Sequence, residues 1–102
     1  MLAFLTIAPA DRGDESLSEV VAGVLDLIDR SGLPYRTGPM GTTIEGDWDE
    51  VMALARRCHF HVRESSRRVS TFIKIDDRVG ATGRLDGKTA SLEKHLGREL
   101  KK

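Results

Sequence analysis

The chain carries one cysteine, one tryptophan, one tyrosine and three phenylalanines in 102 residues, and no excess of charge of either sign. A lone thiol, Cys58, forms no internal disulfide, so the fold must rest on its core, and a reducing cytoplasmic setting is the expectation. Sixteen basic and sixteen acidic side chains cancel, which removes the electrostatic footprint of a nucleic-acid binder or of a protein drawn to an anionic membrane. No apolar run approaches the roughly 20 residues of a membrane span, so membrane insertion is not expected. The opening MLAFLTIAPA ends on Ala8-Pro9-Ala10, yet it lacks the basic start of a signal peptide and alternates as a strand does. With 39 % hydrophobic and 31 % charged residues, a single globular domain over residues 1–102 is expected.

What is present divides into clear elements. Leu2 to Ala8 is apolar on both faces and reads as a strand from the middle of a sheet. Ser16 and Glu19 form a possible capping box for a helix whose stripe runs through Leu17, Val20, Val21, Val24, Leu27 and Ile28. Gly32 and Pro34 stop it. Tyr35 to Met40 and Thr42 to Gly46 read as two strands of an antiparallel hairpin around Pro39-Met40-Gly41. Asp47, with Glu50 three residues on, caps a second helix with a buried stripe of Trp48, Val51, Met52, Ala55 and Cys58 or His59. After a polar connector from Arg63 to Arg67, Arg68 to Asp76 is the fourth strand. Its Val69, Thr71, Ile73 and Ile75 belong under the helices, while Ser70, Phe72, Lys74 and Asp76 face the other way. RVGATGRLDG reads as a loop, and Thr89 to Leu100 as a short last helix with Leu92, Leu96 and Leu100 on one side.

This order predicts an α+β, ferredoxin-like βαββαβ sandwich: a four-stranded antiparallel sheet with two helices on one face, plus a C-terminal helix. The helix-free face must then meet water, a ligand or another subunit. Within GPMGTTIEGDWDEV, turn and cap chemistry accounts for Pro39, Gly41, Gly46, Asp47 and Glu50. It leaves Thr42, Thr43 and Glu45 unexplained. A carboxylate on a sheet either pairs with a cation near an edge or contacts a ligand, and both readings stand for Glu45. In KIDDR, Asp76 and Asp77 point to opposite sides if the strand continues that far. Two aspartates without further oxygen ligands do not make a Ca²⁺ or Mg²⁺ loop. The His59-x-His61 pair near a helix C-terminus suits the helix dipole better than zinc, so no metal is expected.

Catalysis finds little support. No Ser-His-Asp or Cys-His arrangement is visible, and Cys58 falls inside a helical stripe. A phosphate-binding first loop would need Arg12 free, but Asp11 and Asp14 flank it. RNA-recognition domains of this topology stack bases on strand aromatics, whereas the third strand here, TTIEG, has none.

PMGTTIEGDWDEVM, followed by VSTFIKIDDR, resembles the YkoF-like thiamine-binding family of small ferredoxin-like proteins. The likeness runs from the first strand to Arg78, and TASLEKHL suits the family's final helix. The acidic first loop ADRGDES and the connector RESSRR depart from it. The resemblance implies non-catalytic binding of thiamine or its hydroxymethylpyrimidine moiety, with no cofactor, in a pocket near the open sheet face and a subunit interface of a homodimer or homotetramer. Thiamine's chemistry then suggests the contacts. Thr6, Thr43 and Glu45 would meet the aminopyrimidine, Met40, Trp48, Phe72 or Phe4 would line the site, and Asp76 or Asp77 would face the cationic thiazolium. Several carboxylates in such a pocket argue against the phosphorylated forms. The competing expectation is a homo-oligomeric regulatory or interaction module that buries the same open face without binding thiamine.

Overall fold

A computed structural model describes residues 1–11 and 17–101. The elements follow in the order β1 (Leu2–Pro9), α1 (Leu17–Arg30), β2 (Tyr35–Gly38), β3 (Gly41–Glu45), α2 (Trp48–Arg63), β4 (Val69–Asp76) and α3 (Arg84–Leu96). The strands form one sheet ordered β2-β3-β1-β4 with every neighbouring pair antiparallel. This is the expected ferredoxin-like sandwich. β1 occupies the centre, paired with β4 along all eight residues from Leu2↔Asp76 to Pro9↔Val69, and with β3 from Leu2↔Glu45 to Leu5↔Thr42.

Side-chain alternation divides the sheet into a dry and an open face. Ala3, Leu5 and Ile7 of β1 lie beneath α1 and α2 with Ile44 of β3, all buried. Val24 and Ile28 of α1 and Val51, Leu54, Ala55, Cys58 and Val62 of α2 complete the core from above. The two helices approach closely at Gly23, where an added Cβ would run into the His61 ring. α2 starts where its sequence says it should. Asp47 accepts the Glu50 N–H at 2.8 Å and Glu50 accepts the Asp47 N–H at 3.1 Å, a complete capping box. The other proposed box, Ser16 with Glu19, falls partly outside the described residues. Thr71 faces the helices as expected and meets His59 Nδ1 at 2.6 Å, tying β4 to α2.

Four expectations change. The hairpin strands are shorter, Tyr35–Gly38 and Gly41–Glu45, because Pro39 and Met40 alone form the turn. Residue 68 precedes β4, which begins at Val69. Trp48 leaves the buried stripe: it is 55 % exposed, and only from Val51 onward does the stripe lie over the sheet. Finally, α3 spans Arg84–Leu96 rather than 89–100, so the last four residues of RVGATGRLDG are helical and Leu100 is not. Gly97, left-handed at φ 72°, ends it by donating its N–H to Glu93 O.

Two outcomes test this core. Leu54 is fully buried, so Leu54→Ala should lower unfolding free energy by about 2–5 kcal/mol in urea titrations. Burial also pushes the Cys58 thiol up from its ordinary 9.0 to about 11. The folded chain therefore keeps a proton that the unfolded chain releases, and stability should fall as pH rises from about 9 to about 11. That component should vanish in Cys58→Ala when the two pH–stability curves are subtracted.

Candidate functional site

The open face of the sheet carries Leu2, Phe4 and Thr6 of β1, with Thr43 and Glu45 on one flank and Phe72, Lys74 and Asp76 on the other. Gly41 clears space beneath this surface, because a Cβ there would press into the Phe4 ring and the Thr6 methyl. α3 lies over one end of this face, so the chain covers part of what its sequence left open.

Glu45 makes that arrangement possible. Its carboxylate accepts the backbone N–H of Arg84 at 2.7 Å and that of Leu85 at 3.3 Å. Gly83, the residue before the helix, is left-handed at φ 64° and supplies no side-chain cap. A strand carboxylate therefore takes the place of a local N-cap, satisfying donors that a helix start leaves open. Two ion pairs, Arg36–Asp86 and Lys88–Asp76, tie the first turns of α3 to β2 and β4. The bond from Lys88, joined by its charge and those of Arg84 and Lys74, holds the Asp76 carboxyl below its usual range. No α3 residue is buried.

Two grooves meet near this junction. One, of about 540 Å³, runs between α3 and the open face over Leu2, Phe4 and Thr43. The other, of about 700 Å³, lies beyond the sheet end and is lined by Met1, Leu33 and Pro34, the start of α2, and the segment 77–83. Trp48 stands in this second groove with Glu45, Asp47, Glu50 and Asp77, against a single cationic side chain, Arg78. Three of those four carboxylates already receive backbone N–H groups. Asp77 is exposed and has no ion pair among the described residues, which leaves both of its oxygens for a ligand.

The eight residues singled out for the pocket thus fall in separate places. Glu45, Trp48 and Asp77 share the acidic groove. Thr43 and Asp76 line the groove under α3. Thr6 and Met40 lie by the hairpin turn, where Met40 is 82 % exposed. Phe72 is also exposed, on the open face next to Thr6. Leu33, Pro34 and Arg78–Gly83 border the acidic groove but escaped the sequence reading, as did Arg84 and Lys88 in the other. Glycines 80, 83 and 87 made that stretch look like loop throughout.

Fold and grooves together describe a small ferredoxin-like sandwich with two concavities near one end of its sheet. Residues 3–93 match the family described as thiamine-binding protein, and the chain belongs to that family. A UPF0045 protein of Mycobacterium bovis is 38 % identical over 97 residues, covering 94 % of each chain. A UPF0045 protein of Methanothermobacter thermautotrophicus is 34 % identical over 92 % of this chain and 97 % of its own. The crystal structure of a hypothetical protein from Methanocaldococcus jannaschii superposes with a TM-score of 0.81 at 28 % identity, covering 89 % of this chain and 93 % of that one. A Thermotoga maritima protein, tied by its own description to thiamine biosynthesis or salvage, shares the fold at a TM-score of 0.79 and 24 % identity, over 89 % of this chain and 96 % of that one.

The cap supplied by Glu45 has a direct test. Glu45→Gln removes the charge from the contact, and amide hydrogen exchange at the start of α3 should quicken by about tenfold, the equivalent of a typical cap. Amides of β1 and β4 should keep their protection.

Proposed function

We propose that the protein binds thiamine, or its hydroxymethylpyrimidine moiety, without converting it, and that the acidic groove around Trp48 is where it does so. The observation that carries this reading is the pairing of an exposed indole with an uncommitted carboxylate, Trp48 with Asp77, in a concavity whose charge is strongly negative. Thiamine brings a permanent cation next to a flat heteroaromatic ring. Indole is the strongest side-chain partner for a cation over its face, and a carboxylate nearby adds direct charge attraction. The groove's volume of about 700 Å³ falls in the range of ordinary small-ligand sites. The polar rim suits the aminopyrimidine: carboxylate oxygens accept from its exocyclic amine, and the segment 77–83 offers backbone groups to its ring nitrogens. Membership of the thiamine-binding protein family points the same way.

Asp77 replaces Asp76 as the group facing the thiazolium, since Lys88 occupies Asp76. Glu45 contributes charge to the groove, while its hydrogen bonds serve α3.

Assembly has its own support. Phe72 on the open face and Leu96 on α3 are each more than half exposed, apolar surface that a homodimer or homotetramer would cover. Sedimentation of the wild type against Phe72→Ser would read it, with loss of the larger species in the variant as the expected outcome.

Trp48 is the chain's only tryptophan, so its emission reports on the groove directly. Thiamine and hydroxymethylpyrimidine should change that emission saturably, with matching heat in calorimetric titration. Asp77→Asn should weaken thiamine by about tenfold, as expected for loss of a charge-assisted contact, and should affect the uncharged pyrimidine far less. Neither a fluorescence change nor heat with either compound would sink the reading.

A further inference from the structure

The groove under α3 has the opposite electrical character to the one around Trp48. Five cationic side chains line it, Arg36, Lys74, Arg84, Lys88 and Lys101, against one carboxylate, Asp76. Asp86 engages Arg36 and Asp76 engages Lys88. Lys74, Arg84 and Lys101 have no ion pair among the described residues, and they come from β4, the first turn of α3 and the segment beyond it. Between them lies an apolar floor and wall of Leu2, Phe4, Leu85, Leu92 and Leu100. Gathering five cations with one lining carboxylate around a concave apolar surface costs self-repulsion, and a bound anion would relieve it. The Asp76 carboxyl, lowered first by its Lys88 hydrogen bond, also feels the charges of Arg84 and Lys74. A free cation such as thiamine would be repelled there.

We propose that this groove is a second binding site, distinct from the Trp48 groove, for a small organic anion: a phosphate monoester carried on a flat apolar body. The volume, about 540 Å³, suits a molecule of that size. The apolar body lies on Phe4 and Leu2 beneath Leu85 and Leu92. The phosphate meets Arg84, whose planar fork matches two phosphate oxygens, and the point charges of Lys74 and Lys101. The Glu45 carboxylate keeps the first N–H groups of α3 occupied, so recognition falls to side chains.

The experiment is a ¹⁵N–¹H chemical-shift titration of the full chain with phenyl phosphate, run beside phenol, phenyltrimethylammonium and inorganic phosphate. Phenyl phosphate should give saturable shifts centred on Phe4, Leu85 and Leu92, with phenol and phenyltrimethylammonium giving none. Lys74→Gln and Arg84→Gln should each weaken binding by about tenfold, with amides remote from the substituted residue unshifted in the absence of ligand. Lys94→Gln, on α3 but outside the groove, should leave affinity unchanged. Three results would overturn the proposal: no localised saturable shift at millimolar ligand, equal response to the cationic probe, or equal weakening in Lys94→Gln. Inorganic phosphate binding as tightly as phenyl phosphate would overturn the organic part of it, leaving a bare ion site. Because thiamine is absent from every arm, none of these outcomes depends on the reading of the Trp48 groove.

Discussion

The constraint on which everything else depends is the alternation of β1. As the central strand it is fixed on both sides, by the full length of β4 and by four residues of β3. Odd positions, Ala3, Leu5 and Ile7, enter the core beneath α1 and α2, while even positions, Leu2, Phe4 and Thr6, form the floor of the other face. A slip of one residue would exchange the two sets, burying Thr6 and exposing Ile7. Core and open face are therefore specified together. The apolar character of both sets serves two purposes: one makes the fold, and the other receives α3.

Where structural signals are local, the sequence is easily read. Asp47 and Glu50 announce the start of α2 because both partners of the capping box lie within one turn. The period of β4 assigns Ile73 and Ile75 to the helices and Phe72 and Lys74 to the open face because a strand has only two sides. The start of α3 is different. Its cap arrives from Glu45, on another strand, and Gly83 and Gly87 disguise the helix at the level of composition. Trp48 departs from the buried stripe for a related reason. A spacing of three and four residues marks one side of a helix, but it does not mark where the sheet beneath that side ends. Thr6, Met40, Phe72 and Glu45 all lie on or near the expected hairpin and open face. How they group depends on the position of α3, which periodicity does not fix.

Net charge illustrates the same limit. A total of zero speaks only against a nucleic-acid or membrane footprint, and carboxylates in the expected pocket speak only against phosphorylated thiamine. In three dimensions the signs separate. Acids collect where β3 passes into α2, and bases collect where β4 and α3 face each other. Two ion pairs and one carboxylate-to-backbone contact mark the boundary. Composition averages over that boundary, so it conceals two fields of opposite sign on one small protein.

The cap on α3 also has a meaning in time. A helix of 13 residues with no capping side chain of its own is marginal as an isolated peptide in water. It gains its missing acceptor only when β3 has paired with β1 in the correct register and Glu45 faces outward. During synthesis all four sheet strands leave the ribosome before α3 does, β4 immediately ahead of it. A correctly paired sheet therefore gives α3 its acceptor, and a sheet with β3 out of register leaves this glycine-punctuated helix without one.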